Sequence, residues 1–421
     1  MVANSNGKLA ILGGEPVRRK AWHSWPKSDQ LEEQELLTVL RSGKWGRFQG
    51  KDSAVERFEG SYAKLLGCKH VLATANGTSA LFASLHAMGI GPGDEVVLSP
   101  YTFVATANVV LLNYALPIFC DSDLDSFQID ANKVASKITP RTALILPVHM
   151  AGCAANLDVI LETAKAKGIP VLEDACQAHL GEWRGRKLGT WGAAGCFSFQ
   201  ASKNLNSGEG GVVSTNDSAL YERAYSFHSA GRPLNPKPGG PSYVSNAANL
   251  RLTEFQGAIL NAQMTRLETQ SRIREENVRY LTGLLEKIPG IKPVRNYEGC
   301  TRSAWHLFMF RYEKEAFAGI ERSVFLKALA AEGIRSSSGY QPLNKEVFLL
   351  RSLQSKGFKR IYGEKMLKEW SERNECPVND KLCGQAAWFS QTMLLGGRED
   401  MDHIGEAIAK IQGQADALRG V

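Results

Sequence analysis

The chain has 421 residues, of which 43% are hydrophobic and 22% are charged, with 50 Lys and Arg against 43 Asp and Glu. These proportions are typical of a globular protein and exclude a disordered or fibrous chain. The length favours a large domain joined to a smaller one.

The sequence also argues against a membrane span, a secreted location, a nucleic-acid partner and a bound metal. No stretch approaches the roughly 18 to 20 uncharged apolar residues of a membrane span, and the polar N-terminal residues do not predict a signal peptide. The basic residues are scattered, which predicts no nucleic-acid partner. The eight cysteines lack metal-ligand spacing, so free thiols and no bound metal are expected. A cytoplasmic location is expected.

Short apolar segments alternate with helical patterns between about residues 70 and 215. The predicted strands are 70–74, 95–99, 116–121, 143–148, 169–173, 195–199 and 211–215. The predicted helices between them include 78–88, 157–167 and 218–227. Most strands are rich in Val, Ile, Leu or Phe, as expected for strands buried on both faces. The order predicts a doubly wound α/β domain with a mostly parallel sheet.

The pattern changes after residue 250. Residues 253–285 read as one long helix that ends before Pro289-Gly290. Farther on, 305–311 resembles a strand and 321–332 a helix, which predicts a smaller C-terminal α+β domain. We place the boundary near 275, giving a large domain over 1–275, with the N-terminal segment, and a small domain over 276–421.

In an open α/β sheet, ligands bind at the carboxyl ends of the strands. Gly77 and Thr78 follow the first strand and begin a helix, which suits a phosphate but is also an ordinary turn with a cap. Asp174 follows the strand 169–173. A carboxylate at a buried strand end is costly unless it meets a cationic partner, such as the protonated ring nitrogen of a cofactor. The alternative is an ordinary capping or salt-bridged Asp.

Lys203 follows the strand 195–199 and precedes a glycine-rich turn. A lysine there is either a solvated surface residue or a desolvated nucleophile able to form a Schiff base. The spacings of dinucleotide-binding and P-loop motifs are absent. Together, a phosphate-binding turn, an Asp at a strand end and a Lys at a strand end could bind pyridoxal 5′-phosphate (PLP). They would hold its phosphate, its ring nitrogen and its aldehyde, respectively.

The ordered motifs that carry a family resemblance extend from about Pro26 to Leu267, and more loosely to the end. They are Trp25-Pro26, 43–45, 76–81, 102–106, 147–149, 173–175, 198–203, 208–211 and 249–256. In these motifs the chain resembles the DegT/DnrJ/StrS aminotransferases, which are fold-type I PLP enzymes. The resemblance implies a large doubly wound domain, a smaller C-terminal domain and a PLP cofactor.

The resemblance also implies roles for individual residues. Lys203 would carry the cofactor as an aldimine and transfer the proton between substrate and cofactor, while Asp174 would keep the pyridine nitrogen protonated. Phe103 would stack on the ring, unless it is a core aromatic. The phosphate would be held by Gly77, Thr78 and Ser198, and Gln177 would touch the side of the ring that bears the phenolic oxygen.

Active sites of the family lie at a homodimer interface, so the resemblance implies that Asn249 reaches the phosphate of the neighbouring subunit. Arg251 either assists there or forms a surface salt bridge. Glu209 and His149 belong to the motifs, in a supporting or a purely structural role. His179 is equally explained as a buried core histidine.

Gln200, three residues before the lysine, distinguishes a branch of the family. With 147–152 and 229–233 it resembles the glutamine-dependent cyclitol aminotransferases, which include scyllo-inosose aminotransferases and 3-amino-5-hydroxybenzoate synthases. A His-His pair of that branch is replaced here at Ser390-Gln391. The implied reaction is ping-pong transfer from L-glutamine or L-glutamate, through pyridoxamine phosphate, to a keto-cyclitol.

Three alternatives stay open at this stage. The nearest is a nucleotide-sugar (keto-sugar) aminotransferase. A PLP-dependent sugar dehydratase is less favoured, because such enzymes replace the lysine that this chain retains as Lys203. The third is a non-catalytic PLP-binding regulatory protein, since a fold does not fix a function.

Overall fold

A computed structural model describes residues 7–47 and 53–420. The strands are β1 His70–Thr74, β2 Glu95–Leu98, β3 Leu116–Phe119, β4 Thr142–Leu146, β5 Leu172–Asp174, β6 Glu182–Trp183, β7 Arg186–Lys187, β8 Ala194–Ser198, β9 Gly211–Thr215, β10 Ile291–Pro293, β11 Cys300–Arg302, β12 Leu307–Tyr312 and β13 Ala386–Ser390.

Helices flank these strands. The α-helices are α1 Gln30–Ser42, α2 Ala54–Leu66, α3 Gly77–Ala87, α4 Ala105–Leu112, α5 Ala131–Lys137, α6 Leu157–Lys167, α7 Ser218–His228, α8 Glu254–Leu285, α9 Arg322–Ala331, α10 Val347–Leu353, α11 Lys356–Tyr362, α12 Glu364–Arg373, α13 Pro377–Gln385 and α14 Arg398–Gly413. Among the described residues, no helix combines the length and apolar composition needed to cross a bilayer.

Seven strands form the central sheet, in the order β1-β9-β8-β5-β4-β2-β3. The two hydrogen-bonded groups of strands meet where Ile145 pairs with Val171 and Val148 with Asp174, both in parallel. Strand β9 runs antiparallel to β1 and β8, and the other pairs are parallel. The mostly parallel sheet predicted from the sequence is confirmed. Strand β5 begins later than predicted because Pro170 has no N–H for the ladder.

Two apolar cores cover the faces of this sheet, as expected for a doubly wound domain. On one face, α2 presents Val55, Phe58, Tyr62 and Leu66, which fall on one stripe at helical spacing and pack with residues of α8. Burying such a side chain contributes roughly 1.5 to 3 kcal/mol. On the other face, side chains of α3, α4, α6 and α7 pack on β2, β3 and β4.

The C-terminal part contains the antiparallel sheet β10-β12-β13, packed on α9 and α14. The described N-terminal residues lie on this part, where the amides of Ala10 and Val17 donate to Glu332. Helix α8 extends across position 275, so the division into 1–275 and 276–421 stays a prediction.

Three short helices, α10 to α12, return from the C-terminal part to the edge of the main sheet. The indole Nε1 of Trp370 donates to the Pro117 carbonyl at 2.7 Å, and the Tyr362 hydroxyl donates to the Tyr114 carbonyl at 2.7 Å. These bonds satisfy carbonyls at the β3 edge and its preceding turn. The sequence did not predict these helices.

Candidate active site

The N-terminus of α3 lies at the carboxyl end of β1. Asn76 caps the helix, because its side-chain oxygen accepts from the Ser79 amide at 2.8 Å. Gly77 and Thr78 occupy the first turn, where backbone N–H groups have no acceptor within the helix. The positive end of the helix and these amides form a site suited to an anion.

Two glycines allow β8 and β9 to approach this helix terminus. A Cβ at Gly77 would lie 2.7 Å from Cβ of Ser198, and a Cβ at Gly211 would lie 2.4 Å from the Asn76 carbonyl oxygen. Both contacts are shorter than any side chain tolerates. The close packing places the Ser198 hydroxyl beside the Gly77 backbone, so a hydroxyl group lies next to the first amides of α3.

Asp174 ends β5 and is 4% exposed. Its Oδ2 accepts from the Thr106 hydroxyl at 2.8 Å, and its Oδ1 accepts from the Cys176 amide at 3.2 Å. Thr106 is held in turn by Thr102, with 2.9 Å between the two hydroxyl oxygens. These donors are all neutral, and among the described residues no side-chain cation forms an ion pair with the buried carboxylate. It therefore suits a ligand that brings a positive charge.

Lys203 lies in the turn between β8 and β9. Its amide donates to the Gln200 carbonyl at 2.8 Å, and the Gln200 side-chain oxygen accepts from the Ser202 amide and hydroxyl at 2.8 and 2.7 Å. Burial lowers the pKa of the Lys203 amine, while the nearby Asp174 and Cys176 act in the opposite direction. A lysine with a lowered pKa is more often neutral and is then nucleophilic.

Phe103 and Gln177 flank these groups. Phe103 is 57% exposed just before α4, which overturns the alternative that it is a core aromatic. The Gln177 side-chain oxygen accepts from the Ala151 amide at 2.7 Å, and its Nε2 donates to the Tyr340 hydroxyl at 3.4 Å. Burial raises the pKa of Tyr340 to about 12, so this hydroxyl keeps its proton at neutral pH.

His149 and Glu173 form a buried structural pair. Nδ1 of His149 accepts from the Ala155 amide at 3.2 Å, so Nε2 carries the proton that it donates to Glu173 at 2.9 Å. Glu173 also accepts from three backbone amides in the turn that precedes β8, those of Gly189, Trp191 and Gly192. The pair therefore fixes the turn leading into β8.

His179 is likewise a structural residue. Its Nε2 donates to the Ser198 carbonyl at 2.9 Å, and its Nδ1 accepts from the Tyr62 hydroxyl at 2.8 Å. Burial lowers the pKa of His179 to about 3, so the ring is neutral. The side chain of Glu209 is exposed, whereas its carbonyl accepts from Gln256 at 2.8 Å.

The segment that contains Asn249 and Arg251 lies beside the end of β1. The Ala75 amide donates to the Leu250 carbonyl at 2.7 Å, and the backbones of Arg251 and Thr74 form an antiparallel β-bridge. Asn249 is exposed, and Nη1 of Arg251 is buried with no hydrogen-bond partner among the described residues. The role of Asn249 at a neighbouring subunit stays a prediction.

Sequence reasoning missed several residues near the site. Thr106 lies within the motif 102–106, and a hydroxyl four residues after Thr102 at a helix start is a signal that could have located it. Nothing in the local sequence around Tyr340 predicts its place near the site. Arg274 has no local sequence signal. Gln391, which contacts it, is visible in the sequence as a departure from the His-His pair of the related branch.

A model of the DegT/DnrJ/EryC1/StrS aminotransferase family matches residues 26–360. The chain belongs to this family. This aminotransferase uses PLP, and its fold is that of the fold-type I PLP enzymes. The residues of the site fit the cofactor: the donors around Gly77 suit the phosphate, Asp174 with its neutral donors suits a protonated ring nitrogen, and the exposed Phe103 is available for stacking.

Relatives of this aminotransferase match almost its full length. It is 34% identical over 425 residues to an L-glutamine:2-deoxy-scyllo-inosose aminotransferase of Streptoalloteichus tenebrarius, covering 98% of this chain and 99% of that protein. The enzyme of the same name from Streptomyces kanamyceticus is 34% identical, with 96% and 97% covered. The crystal structure of 3-amino-5-hydroxybenzoic acid synthase superposes with a TM-score of 0.82 at 30% identity, covering 94% of this chain and 100% of that one.

Proposed function

We propose that this aminotransferase moves an amino group from L-glutamine to a keto-cyclitol such as scyllo-inosose by a ping-pong reaction. Lys203 and Asp174 are the catalytic residues. The cofactor is held by Gly77, Thr78, Phe103, Gln177 and Ser198. One observation carries the proposal. The anion-binding helix terminus at Gly77, the carboxylate of Asp174 and the buried amine of Lys203 lie together at the carboxyl ends of the strands.

Lys203, Asp174 and the donors around Gly77 each have a separate role, in transferring a proton, holding a proton or binding the phosphate. Bound PLP supplies an aldehyde that combines with the donor amine and a ring that withdraws electrons from the bond being broken. Lys203 Nζ accepts the proton from the α-carbon of the donor and later returns a proton to the acceptor carbon. Asp174 keeps the proton on the ring nitrogen, and the donors around Gly77 fix the phosphate so that the reacting atoms stay near Nζ.

The substrate assignment rests on the relatives and on one wall of the site. Tyr340 packs edge-on against the Trp388 ring, with 5.0 Å between ring centroids, and its hydroxyl reaches Gln177. An aromatic wall with polar groups at its edge suits a ring that has C–H faces and hydroxyl edges. The relatives named for L-glutamine and 2-deoxy-scyllo-inosose support the same donor and the same class of acceptor.

The two half-reactions test this assignment. PLP-loaded protein is mixed separately with L-glutamine, L-glutamate, L-alanine and L-aspartate, and we expect L-glutamine to remove the visible absorbance fastest. After gel filtration, scyllo-inosose or 2-deoxy-scyllo-inosose is expected to restore the absorbance. If only a nucleotide-linked keto-sugar restores the absorbance, the acceptor is such a sugar and the proposed keto-cyclitol is wrong. A cofactor that no donor converts would point instead to a non-catalytic protein.

We further propose a cytoplasmic homodimer with shared active sites. Apolar side chains are exposed around α4, at Phe103, Leu112 and Tyr114, and in the segment before Asn249, at Tyr243 and Val244. Exposed apolar clusters of this kind favour burial in an interface. A second subunit on this surface would bring Asn249 to the phosphate of its neighbour.

Light scattering of the purified protein tests the oligomeric state. The chain has a mass of 46.1 kDa, so we expect twice this mass in solution. A Tyr243→Asp, Val244→Asp double variant places two charges in the apolar cluster and is expected to yield monomers with weaker PLP binding. Wild-type protein that stays monomeric at micromolar concentration and still transaminates would refute shared active sites.

A further inference from the structure

Two buried side chains beside the turn that contains Lys203 are hydrogen-bonded to each other. Asn204 directly follows Lys203 and is 3% exposed, and His306 immediately precedes β12 and is 6% exposed. Nδ2 of Asn204 donates to the Ala304 carbonyl at 2.7 Å, and 3.2 Å separates its Oδ1 from Nδ1 of His306. The residue after the lysine is therefore attached to the segment that leads into β12.

These contacts determine which nitrogen of the His306 ring carries the proton. A carbonyl oxygen can only accept, so the bond to Ala304 uses the amide nitrogen of Asn204 and leaves Oδ1 as an acceptor. Nδ1 of His306 is then the donor to Oδ1. Burial lowers the pKa of His306 well below its ordinary value, so the ring is neutral. The polar atoms of the Asn204 side chain are both hydrogen-bonded, as expected of a buried amide.

The backbone of His306 is also bonded to the segment that holds Gln177. The His306 amide donates to the Ala151 carbonyl at 2.8 Å, and the Ala151 amide donates to the side-chain oxygen of Gln177 at 2.7 Å. Asn204 therefore connects the turn of Lys203 with a second group of the proposed cofactor site.

Two residues of these segments have left-handed backbone conformations. The φ angle is 60° at Ala151 and 51° at Trp305, a region that is energetically costly for residues other than glycine. A Cβ at Gly152 would lie 2.6 Å from Cβ of Ala304, so the two strained segments are in direct contact. Strain of this kind persists where the surrounding contacts impose it, and it occurs preferentially at functional sites.

The peptide that precedes Lys203 is held from the same segment. The amide of Gln391 donates to the His306 carbonyl at 3.0 Å, and its Nε2 donates to the Ser202 carbonyl at 3.3 Å. Arg274 donates to the Gln391 side-chain oxygen at 3.0 and 2.5 Å, which sets the orientation of this amide. The residues on both sides of Lys203 are therefore connected to His306.

We propose that Asn204 and His306 are positioning residues that hold Lys203 where its amine reaches the α-carbon of the donor. The inference rests on the proposed function of Lys203. A displacement of about 1 Å can slow a reaction on the order of 10²-fold, so the bonds of the pair matter for the proton transfer. Gly77 and Asp174 lie on other elements, so the affinity for PLP is expected to be retained when the pair is broken.

The test is the single-turnover reaction of PLP-loaded variants with L-glutamine. Asn204→Ala removes both bonds, and His306→Phe keeps an aromatic ring without the donor. We expect each to lower the rate constant about 10- to 100-fold, while the half-saturating concentration of L-glutamine stays near the wild-type value. A purely structural loss would lower the amplitude of the reaction instead, because fewer molecules would be active. His306→Asn places an amide N–H near the position of Nδ1 and is expected to recover most of the rate constant.

A double variant and a distant asparagine complete the design. Because Asn204→Ala and His306→Phe remove the same bond, the double variant is expected to be no slower than the slower single variant. Asn374 is the matched control, since it is 1% exposed, accepts from the Phe119 amide at 2.5 Å and donates to the Trp370 carbonyl at 2.7 Å. Asn374→Ala is expected to lower the unfolding temperature and to keep the wild-type rate constant.

The outcomes separate this inference from the proposed function. Wild-type rate constants in both Asn204→Ala and His306→Phe would overturn the role of the pair, as would losses that multiply in the double variant or a His306→Asn variant as slow as His306→Phe. If Asn204→Ala does not fold, the comparison of His306→Phe with His306→Asn decides alone. Wild-type protein that gains no visible absorbance with PLP would instead contradict the assignment of Lys203.

Discussion

The Lys203→Ala variant is expected to bind PLP without developing the visible absorbance of lysine-bound cofactor, and to transaminate about 10⁴-fold more slowly or worse. Alanine removes both the amine that holds the cofactor and the base that moves the α-proton. The donors around Gly77 remain in place, so the phosphate still binds. The measurement is the absorbance after gel filtration, followed by single-turnover conversion with L-glutamine.

A second lysine supplies a matched control. Lys187 lies in the short hairpin β6-β7, is partly buried and pairs with Glu182 at 2.5 Å. We expect Lys187→Ala to lose some stability but to keep the absorbance and the rate of the wild-type protein. Lys203→Ala that still transaminates at the wild-type rate would show that another residue is the catalytic amine.

Periodicity in the sequence predicted the central sheet well. Apolar segments bounded by turn residues located seven strands, and the bounds of β1 and β9 are the predicted ones. The helices α10 to α12 were missed because their role is to cover the edge of a sheet that is distant in sequence. Trp370 illustrates this: its bond to the Pro117 carbonyl depends on tertiary packing, for which local patterns give no signal.

The residues of the site also divide into those that local sequence predicts and those that depend on tertiary packing. Gly77, Asp174 and Lys203 lie at the carboxyl end of a strand or within a few residues of it, so the rule for open α/β sheets located them from local sequence. Thr106, Tyr340 and Arg274 act through contacts with residues 68, 163 and 117 positions away. Only the folded chain brings such partners together. The substitution at Gln391 was visible in the sequence, whereas its partner Arg274 was not.

Asp174→Asn is expected to lower the rate of both half-reactions on the order of 10²- to 10³-fold, with PLP still bound. The carboxylate is the group that keeps the ring nitrogen protonated, and a neutral amide cannot do so. Asn has nearly the same volume and can still accept from the Thr106 hydroxyl, so the packing at the end of β5 is retained. The measurement is the single-turnover rate with L-glutamine, together with the affinity for PLP by fluorescence titration.

Asp121 is the matched control, because it is another buried carboxylate that follows a strand of the same sheet. It accepts from the amides of Asn379 and Val378 at 2.9 and 3.2 Å, at the start of α13. We expect Asp121→Asn to lower the unfolding temperature by weakening this helix start, while the rate per folded molecule stays near that of wild type. Equal losses of rate in the two variants would mean that Asp174 acts through stability. A loss confined to Asp174→Asn, which returns when the assay uses a cofactor analogue with a permanently charged N-methyl pyridinium ring, would assign its effect to the charge on the ring nitrogen.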